Sequence, residues 1–492
     1  MIQGRQAGAL ARRRRFWRAA GTGLAAVWLA ACTVGPNFKP PAAPSPRAYV
    51  TDPAPTLSDP GPAEVRQTLA VGQPLADDWW AAFHSPQIDL LVRKALANNQ
   101  SLAAARANLT QAREAETRAR GGAYPQADFA ATASRLKTSL LPEGINQLGP
   151  VTSDFTLGPN VSYALDLFGG ARRLREQKHA LTEYQGYQLD AAGLTITGDV
   201  ARRLIDLARA QDQIDALEEV LRDDEQTVQM VDRLFGLRLK TTVDLNAARS
   251  QLAADRALLP PLRQQVAMDR NAIAVLTGEP PGEAAPPDLR LGALALPDSL
   301  PVAVPSALVR QRPDIRAAEA QLHAASAGVG IATAQLYPSL TLSAGTVQES
   351  LSASTLFTSS ATGGFVAAGL AAPILHGGAL RAGRREAVAA YDAAYANYRQ
   401  TVLESFGQVA DVLQALDHDA QALNAQQQAV EAATSARDAA KAQYAVARVD
   451  ILLVLNTQRQ LARARMQHAQ ARAQRYLDTV QLFAAMGGGW VR

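Results

Sequence analysis

The sequence has almost no cysteine and few aromatic residues. Cys32 is the only cysteine among 492 residues, which excludes an intrachain disulfide framework and any multi-cysteine zinc or iron–sulfur site. Aromatic residues make up 5% of the chain, whereas hydrophobic residues, alanine prominent among them, make up 48%. This composition favours long, closely packed helices over a bulky globular core.

The single cysteine follows a basic and then an apolar stretch at the start of the chain. Six arginines lie before residue 19, and small or apolar residues run from Ala19 to Ala31. This order is typical of a secretory signal peptide, and the apolar part is shorter than the roughly 20 residues of a spanning helix. Leu29-Ala30-Ala31-Cys32 looks like a bacterial lipobox. We therefore predict that residues 1–31 are removed and that Cys32 is lipidated; an ordinary signal peptide with an incidental cysteine is the alternative.

Removal of this leader changes the charge of the chain. The full sequence has a net charge of +4, and the loss of six arginines without any acid would leave −2. A nucleic-acid-binding protein needs a basic patch, and most of the excess positive charge lies in the leader. Nucleic acid is therefore excluded as a partner.

Proline is absent from residues 160–259 and 374–492. Because proline in a helix interior costs about 3 kcal/mol, such spans permit long helices. Apolar residues recur there at intervals of seven, which predicts coiled-coil packing, with an ordinary helical core as the alternative. Pro260-Pro261 should kink or restart the returning helix. The three series are Val200, Leu207, Ile214, Leu221, Val228 and Phe235; Val409, Leu416, Leu423, Val430, Arg437 and Tyr444, interrupted only by Arg437; and Leu245, Leu252, Leu259, Val266 and Ile273.

The two halves of the chain resemble each other. Residues 101–134 align with residues 314–345, and a Tyr-Pro pair occurs at the same place in both, at Tyr124 and Tyr337. This duplication predicts the same series twice: a helix, two strands, a long helix, a turn and a second helix. The predicted divisions are a signal peptide at 1–31, a lipidated extended segment with the start of an equatorial region at 32–100, a first repeat at 101–279, a proline-rich linker at 280–313 and a second repeat at 314–492.

Apolar and polar residues alternate in two segments, 160–168 and 340–345, which indicates strands with one apolar and one polar face. Four strands are predicted, at about 126–134, 155–168, 338–347 and 362–373. No segment after the leader has 18 consecutive apolar residues, so no transmembrane helix is expected. Four strands are too few to close a membrane barrel, so several chains must combine theirs. Helices of some 60 residues would reach roughly 90 Å in water.

Five motifs together resemble one family, the TolC-like outer membrane factors, which are the channel lipoproteins of tripartite resistance–nodulation–division efflux systems. The resemblance spans nearly the whole mature chain. It implies a mainly α-helical fold with a membrane β-barrel part, formed as a homotrimer with a twelve-stranded barrel and an α-helical tunnel. The motifs are CTVGPNFKPP (32–41), DDWWAAFHSPQIDLLVRKALANNQSL (77–102), LDLFGG (165–170), RPDIRAAEAQLHAASAGVGIATAQLYPSLTLS (312–343) and MGGGW (486–490).

The same resemblance implies a function, a location and partners. The chain would be a passive outer-membrane exit duct for drugs or other small molecules, anchored by its lipid and extending into the periplasm. Its partners would be a periplasmic adaptor protein and an inner-membrane transporter, and it would need no cofactor or metal. Within YAVARVDILLVLNTQR (444–459) the family's gate falls on Leu452, Asn456 and Arg459. Asn456 stands where related channels have an aspartate, so a neutral hydrogen bond would take the place of an ion pair with Arg459.

The helix tips near 236–243 and 445–451 are the expected adaptor docking sites. The residues concerned are Gly236, Lys240, Ala447 and Asp450. Ala447 stands where glycine is usual in the family, which would shift this turn. We expect Leu452 packing and Asn456–Arg459 contacts to hold the closed gate until the adaptor binds.

Catalytic patterns are weak. SRLK (134–137) lacks the companion motifs of a serine hydrolase of the Ser-x-x-Lys type, and the histidines form no His-Glu-x-x-His. RDDEQ (222–226) is interpreted as a solvated coiled-coil face. A periplasmic adaptor is the more serious alternative to a channel. An adaptor would have one helical hairpin flanked by β-rich modules, whereas this sequence predicts two helical hairpins, each preceded by strands.

Overall fold

The computed structural model describes residues 33–42, 44, 46, 48–49, 57–62, 64–139, 144, 148–284, 289–446 and 448–488. The predicted signal peptide, the predicted lipidation site Cys32 and the predicted tip residue Ala447 lie outside these ranges.

Each half of the chain contains a helix, two strands, a long helix and a returning helix, in the order that the duplication predicts. In the first half the helices are α1 (Pro86–Asn98), α2 (Gln100–Gly121), α3 (Gly170–Gly236), α4 (Thr242–Arg256) and α5 (Leu259–Leu276), and the strands are β1 (Thr68–Val71), β2 (Gln126–Ser139) and β3 (Leu148–Leu165). In the second half they are α6 (Pro305–Gln311), α7 (Pro313–Ala334), α8 (Ala379–Ala445) and α9 (Ile451–Ala485), with β4 (Ser299–Val302), β5 (Ser339–Ser350) and β6 (Thr362–Ala371).

The returning helix of the first half is broken where its proline pair predicts a restart. It ends at Arg256 and begins again at Leu259, with Pro260 and Pro261 in the first turn of the new helix. Proline is tolerated there because the first backbone N–H groups of a helix have no intrahelical acceptor. Among the described residues, no helix is both long enough and apolar enough to cross a membrane.

The chain forms two compact units. One comprises residues 1–41, 109–184 and 318–398, and the other comprises residues 42–108, 185–317 and 399–492. The first contains the strands β2, β3, β5 and β6. The second contains α3 from residue 185 onwards and α8 from residue 399 onwards, together with their returning helices.

In the first unit the four strands form one antiparallel sheet in the order β2-β3-β5-β6. Its register places most of the large apolar residues of the four strands on one face, because residues paired across strands point to the same side; Leu136, Val347 and Phe365 lie on the opposite, mostly polar face. Tyr163 pairs with Leu342, and Leu342 in turn pairs with Ala368. Neither face is covered: no side chain described in these strands is buried, and β6 is exposed throughout. The apolar face comprises Phe129, Phe155, Leu157, Val161, Tyr163, Leu165, Leu340, Leu342, Ala344, Val366 and Leu370.

The first hairpin is longer than its sequence predicts. The predicted strands at about 126–134 and 155–168 leave residues 135–154 unpaired between them, but β2 continues to Ser139 and β3 begins at Leu148. Arg135, Leu136 and Lys137 pair with Ser153, Thr152 and Val151. The alternation of apolar and polar residues fades in these positions, so the backbone ladder, rather than side-chain burial, extends the strands.

The first residues after Cys32 are bound tightly within the same unit. The guanidinium of Arg173, 3% exposed, donates to the carbonyl oxygens of Val34 and Gly35 at 3.2 Å each and to Asn37 Oδ1 at 2.8 Å. Gly35, at φ +90°, crosses Gly330 so closely that a Cβ on Gly35 would lie 2.5 Å from Gly330 Cα. Gly35 therefore requires glycine, and a Cβ on Gly330 would lie 2.7 Å from Cγ of the buried Arg173 side chain.

In the second unit the heptad residues fill a helical core. Val200, Leu207 and Ile214 are buried, whereas Phe235, the last of the series, is 39% exposed. An untwisted helix drifts relative to a seven-residue repeat, which moves the buried seam to a neighbouring position along the helix. The core also includes Trp79. Next to it lie two short strands that periodicity does not predict, β1 and β4, which pair in parallel.

Candidate functional site at the helix tips

Two turns in the second unit connect the long helices to their returning partners. After α3 ends at Gly236, Thr241 and Asp244 form a reciprocal cap at the start of α4, which satisfies two free backbone N–H groups. Asp450 caps α9 by accepting a hydrogen bond from the Ile451 N–H. The two turns are joined by an ion pair, because Lys240 Nζ lies 3.7 Å from Asp450 Oδ1. The structure therefore brings together Lys240 and Asp450, two of the four predicted docking residues.

Beneath the turns an apolar cluster fastens the ends of four helices. Its members come from α3, α4, α8 and α9, and the Tyr444 ring packs on it while Lys240 Nζ lies 5.1 Å from the ring centroid. Full burial of each aliphatic side chain contributes roughly 1.5–3 kcal/mol, so the tip has a rigid base. The buried members are Val231, Leu245, Ala248, Ala440, Ile451, Val454 and Leu455.

The predicted gate residues lie on the other face of α9. Leu452 is 50% exposed and Asn456 is exposed, while Val454 and Leu455 face the apolar cluster. Large apolar and amide side chains on an unpacked helix face are available to another chain or to a pore.

Arg459 has a different partner from the predicted one. Its Nε and Nη2 both donate to Gln251 Oε1 of α4, at 2.9 and 2.6 Å, and among the described residues no hydrogen bond joins Arg459 to Asn456. The expected Asn456–Arg459 contact is thus not formed within one chain, because the amide oxygen of Gln251 takes both guanidinium donors.

Gln251 connects Arg459 to a buried pair of acids. Its Nε2 donates to Asp255 Oδ2 at 2.6 Å, and both side chains are 6% exposed. Asp255 in turn lies against Asp224 of α3, which is 1% exposed and whose carboxyl oxygens accept no hydrogen bond from a described donor. Two carboxyl groups can bond each other only when one carries a proton. Burial first, and Asp255 second, raise the pKa of Asp224 from 3.8 to about 8.

The neighbouring acid, Asp223, is paired with cations of α8. Arg437 Nη1 lies 2.8 Å from Asp223 Oδ2, and Lys441 Nζ lies 3.1 Å from the same oxygen. Arg437 is the residue that interrupts the second heptad series. Its partner across the helix pair explains why a cation is tolerated at a core position.

The interpretation of residues 222–226 as a solvated face is wrong at Asp224. The missed signal is a second seven-residue series on α3, Ala210, Leu217, Asp224 and Val231, all of them buried. These residues lie three positions after Leu207, Ile214, Leu221 and Val228, where a heptad has its second core position. Asp255 occupies the matching position in α4, three residues after Leu252. The second core position of each heptad therefore predicts both buried acids.

An open groove runs beside this network between α4 and α9, with a volume of about 980 Å³. It is lined by Gln251, Asp255, Arg459 and Arg463 among others. Within the described part of the chain, no three His, Cys, Asp or Glu side chains lie close enough to hold a metal ion.

The sequence matches the family model described as "Outer membrane efflux protein" over residues 91–279 and 304–488, one stretch in each half. The chain is 32% identical to the pyoverdine export outer membrane protein OpmQ of Pseudomonas putida over 439 residues, which cover 86% of this chain and 90% of OpmQ. It is 27% identical to SilC of Salmonella typhimurium, a probable outer membrane lipoprotein, over 94% of this chain and 97% of SilC.

Solved structures agree with this assignment. The outer-membrane channel OprN superposes with a TM-score of 0.84 at 28% identity, covering 93% of this chain and all of that one. The open state of the MtrE outer membrane channel of Neisseria gonorrhoeae superposes with a TM-score of 0.78 at 25% identity, covering 93% of this chain and 98% of that one. The chain therefore belongs to the outer membrane efflux protein family, and it is an outer-membrane efflux channel, not an enzyme.

Proposed function

We propose that three copies of this chain form the exit duct of a tripartite efflux pump, with a gate at the helix tips that opens when a periplasmic adaptor and its inner-membrane transporter dock. The observation that carries the proposal is the four-stranded sheet, which has an apolar face, a polar face and no cover on either.

The sheet is incomplete in one chain. Its outer strands β2 and β6 each have one edge that pairs with no other described strand, and such edges are not stable in a bilayer. Three copies supply twelve strands, above the minimum of about eight that closes a barrel. In that barrel the apolar face containing Val366 and Leu370 contacts lipid, while the polar face containing Asn160 and Ser343 lines the pore.

The tips supply the gate and the docking surface. Leu452 and Asn456 extend from α9 on a face that its own chain leaves unpacked, and neighbouring copies bring three such faces together around the pore. The Arg459–Gln251 bond ties this face of α9 to α4, so a partner that separates the two helices also moves the gate residues. Gly236, Lys240, Ala447 and Asp450 form the docking surface for the adaptor.

Lipid attachment at Cys32 belongs to the same proposal. The lipobox sequence supports it, and the relative SilC is itself described as a probable lipoprotein.

The gate is tested by Arg459→Ala in a planar bilayer. Loss of the guanidinium removes both bonds to Gln251, so we expect leakage current through the closed channel to rise several-fold, and Gln251→Ala should act alike. Arg463→Ala, the removal of another groove-lining cation from the same helix, is the matched control and should leave leakage unchanged. Equal leakage in the Arg459 variant and the parent protein would refute this gate.

A further inference from the structure

The buried acids Asp224 and Asp255 connect three helices near the gate. Asp224 lies on α3 and Asp255 on α4, and Gln251 hydrogen-bonds both Asp255 and, on α9, Arg459. The contacts proposed for the gate use Arg459 and Gln251 but leave the two acids without a role. A polar group this deeply buried destabilises the fold unless its partners satisfy it.

The pair has no counter-ion among the described residues. Both side chains are at least nine-tenths buried, and no described cation lies within ion-pair distance of either one. A shared proton makes a strong hydrogen bond between the carboxyl groups, whereas two bare carboxylates in this place repel each other with little water to screen them.

The charges around the pair come from every helix packed against it. On α3 the adjacent Asp223 is negative, and on α8 Lys441 and Arg437 lie close to Asp223 and are bonded to it. On α4 the facing group is Asp255 itself, and on α9 the cation Arg459 is reached only through Gln251. The cations are thus engaged by Asp223 and Gln251, which leaves the proton as the direct neutralising partner of the two acids.

We propose that Asp224 and Asp255 form a proton-dependent latch: their shared proton holds α3 against α4 and keeps Gln251 in place to bind Arg459, and its loss at alkaline pH loosens the three helices and the gate. The reaction is a simple deprotonation, in which hydroxide or buffer base takes the proton and leaves two carboxylates. This latch regulates the proposed gate and therefore rests on that proposed function.

The first experiment detects the proton itself. Infrared difference spectra of the full-length protein in detergent, titrated from about pH 6 to about pH 9.5, should show the C=O band of a protonated carboxyl group that disappears as the pH rises. Asp224→Asn should remove this band. Glu225→Gln is the matched control, since Glu225 also joins α3 to α4, through Arg256 at 2.6 Å, but its side chain is 46% exposed. Absence of a titrating band in the parent protein would overturn the proposal.

The second experiment measures the effect on the channel. Closed-state leakage of the parent protein should rise about tenfold across this pH range. A tenfold change corresponds to a pKa of the acid pair that is about one unit higher with the gate closed than with the gate loosened. In Asp224→Asn the carboxamide donates to Asp255 at every pH, so leakage should stay low and flat, while Glu225→Gln should behave as the parent protein. If Asp224→Asn leaks with the same pH dependence as the parent, the latch is refuted.

The failure of the latch and that of the gate are distinguishable. If Arg459→Ala raises leakage but Asp224→Asn leaves the pH dependence unchanged, the gate stands and the latch fails. If Arg459→Ala has no effect while Asp224→Asn abolishes the pH dependence, the shared proton controls the pore, but its proposed action through Gln251 and Arg459 is refuted.

Discussion

At the scale of single residues, the exceptions to the heptad pattern are the informative positions. Arg437 interrupts the series on α8 and Asp224 interrupts the second series on α3, and both lie where a coiled coil has apolar residues. Arg437 is satisfied by Asp223 of the facing helix at 2.8 Å, whereas Asp224 accepts no hydrogen bond from a described donor. A charged side chain in a heptad core position therefore indicates a partner across the helix pair or a bound proton.

The raised pKa of Asp224 predicts how stability depends on pH. Since the folded state holds the Asp224 proton up to about pH 8 and an unfolded aspartate releases it near 3.8, the stabilisation is complete below 3.8 and is lost as the pH rises towards 8. Within this window the free energy of unfolding falls by about 1.4 kcal/mol per pH unit from this group. Denaturant titrations of the detergent-solubilised protein between about pH 5 and pH 8 should show this slope.

In Asp224→Asn this part of the slope should vanish, because the carboxamide does not titrate. Glu225→Gln should keep it. An unchanged slope in Asp224→Asn would show that another group holds the proton.

At the scale of elements, the sheet register makes a sharp prediction from neighbouring residues of β6. Val366, 89% exposed, lies on the apolar face, and Ala367 lies on the opposite face beside Ser343. We expect Val366→Asp to reduce outer-membrane assembly and the heat-resistant trimer on gels strongly, since a charge facing lipid is destabilising, by about 2–4 kcal/mol for a basic side chain at the midplane and by less for a carboxylate. Ala367→Asp should assemble, because its carboxylate faces the aqueous pore. The reverse result would mean that the face containing Ala367, not the face containing Val366, contacts lipid.

The sequence predicts elements where a periodic pattern meets a physical boundary. Absence of proline marks both long helices, and Pro260-Pro261 marks the restart of the returning helix. Patterning fails where something other than side-chain burial decides the structure. The ladder that extends β2 past Arg135 is a backbone effect, and β1 and β4 are four-residue strands whose pairing joins residues 68 and 299, far apart in the chain.

For the candidate site, the sequence identifies the tips but not their contacts. Lys240 and Asp450 come from different turns, and their 3.7 Å ion pair depends on how four helices pack. The same holds for Arg459, whose partner Gln251 lies 208 residues earlier in the chain. The position of a residue on a helix face is thus predictable, whereas its partner on another helix is not.

At the scale of the whole molecule, the docking proposal predicts where a partner is captured. A photo-crosslinking residue in place of Lys240 or Asp450 should capture the adaptor protein in cells, since both lie at the tips. The same residue in place of Lys94 of α1, a half-exposed side chain paired with Glu279 and away from both turns in sequence, is the control and should capture none. Capture at position 94 alone would place the docking surface elsewhere.

The binding of residues 33–37 by Arg173 bears on what a lipid on Cys32 can do. Successive Cα atoms are 3.8 Å apart, so the modified sulfur would be moored one residue from Thr33, whose hydroxyl accepts a hydrogen bond from Arg172 at 3.2 Å. Such a short connection would fix the position of the first unit relative to the membrane as well as attach it. The fatty chains would then set how deeply the four-stranded sheet lies in the bilayer. A flexible spacer inserted after Cys32 would leave the protein attached but would no longer fix this depth.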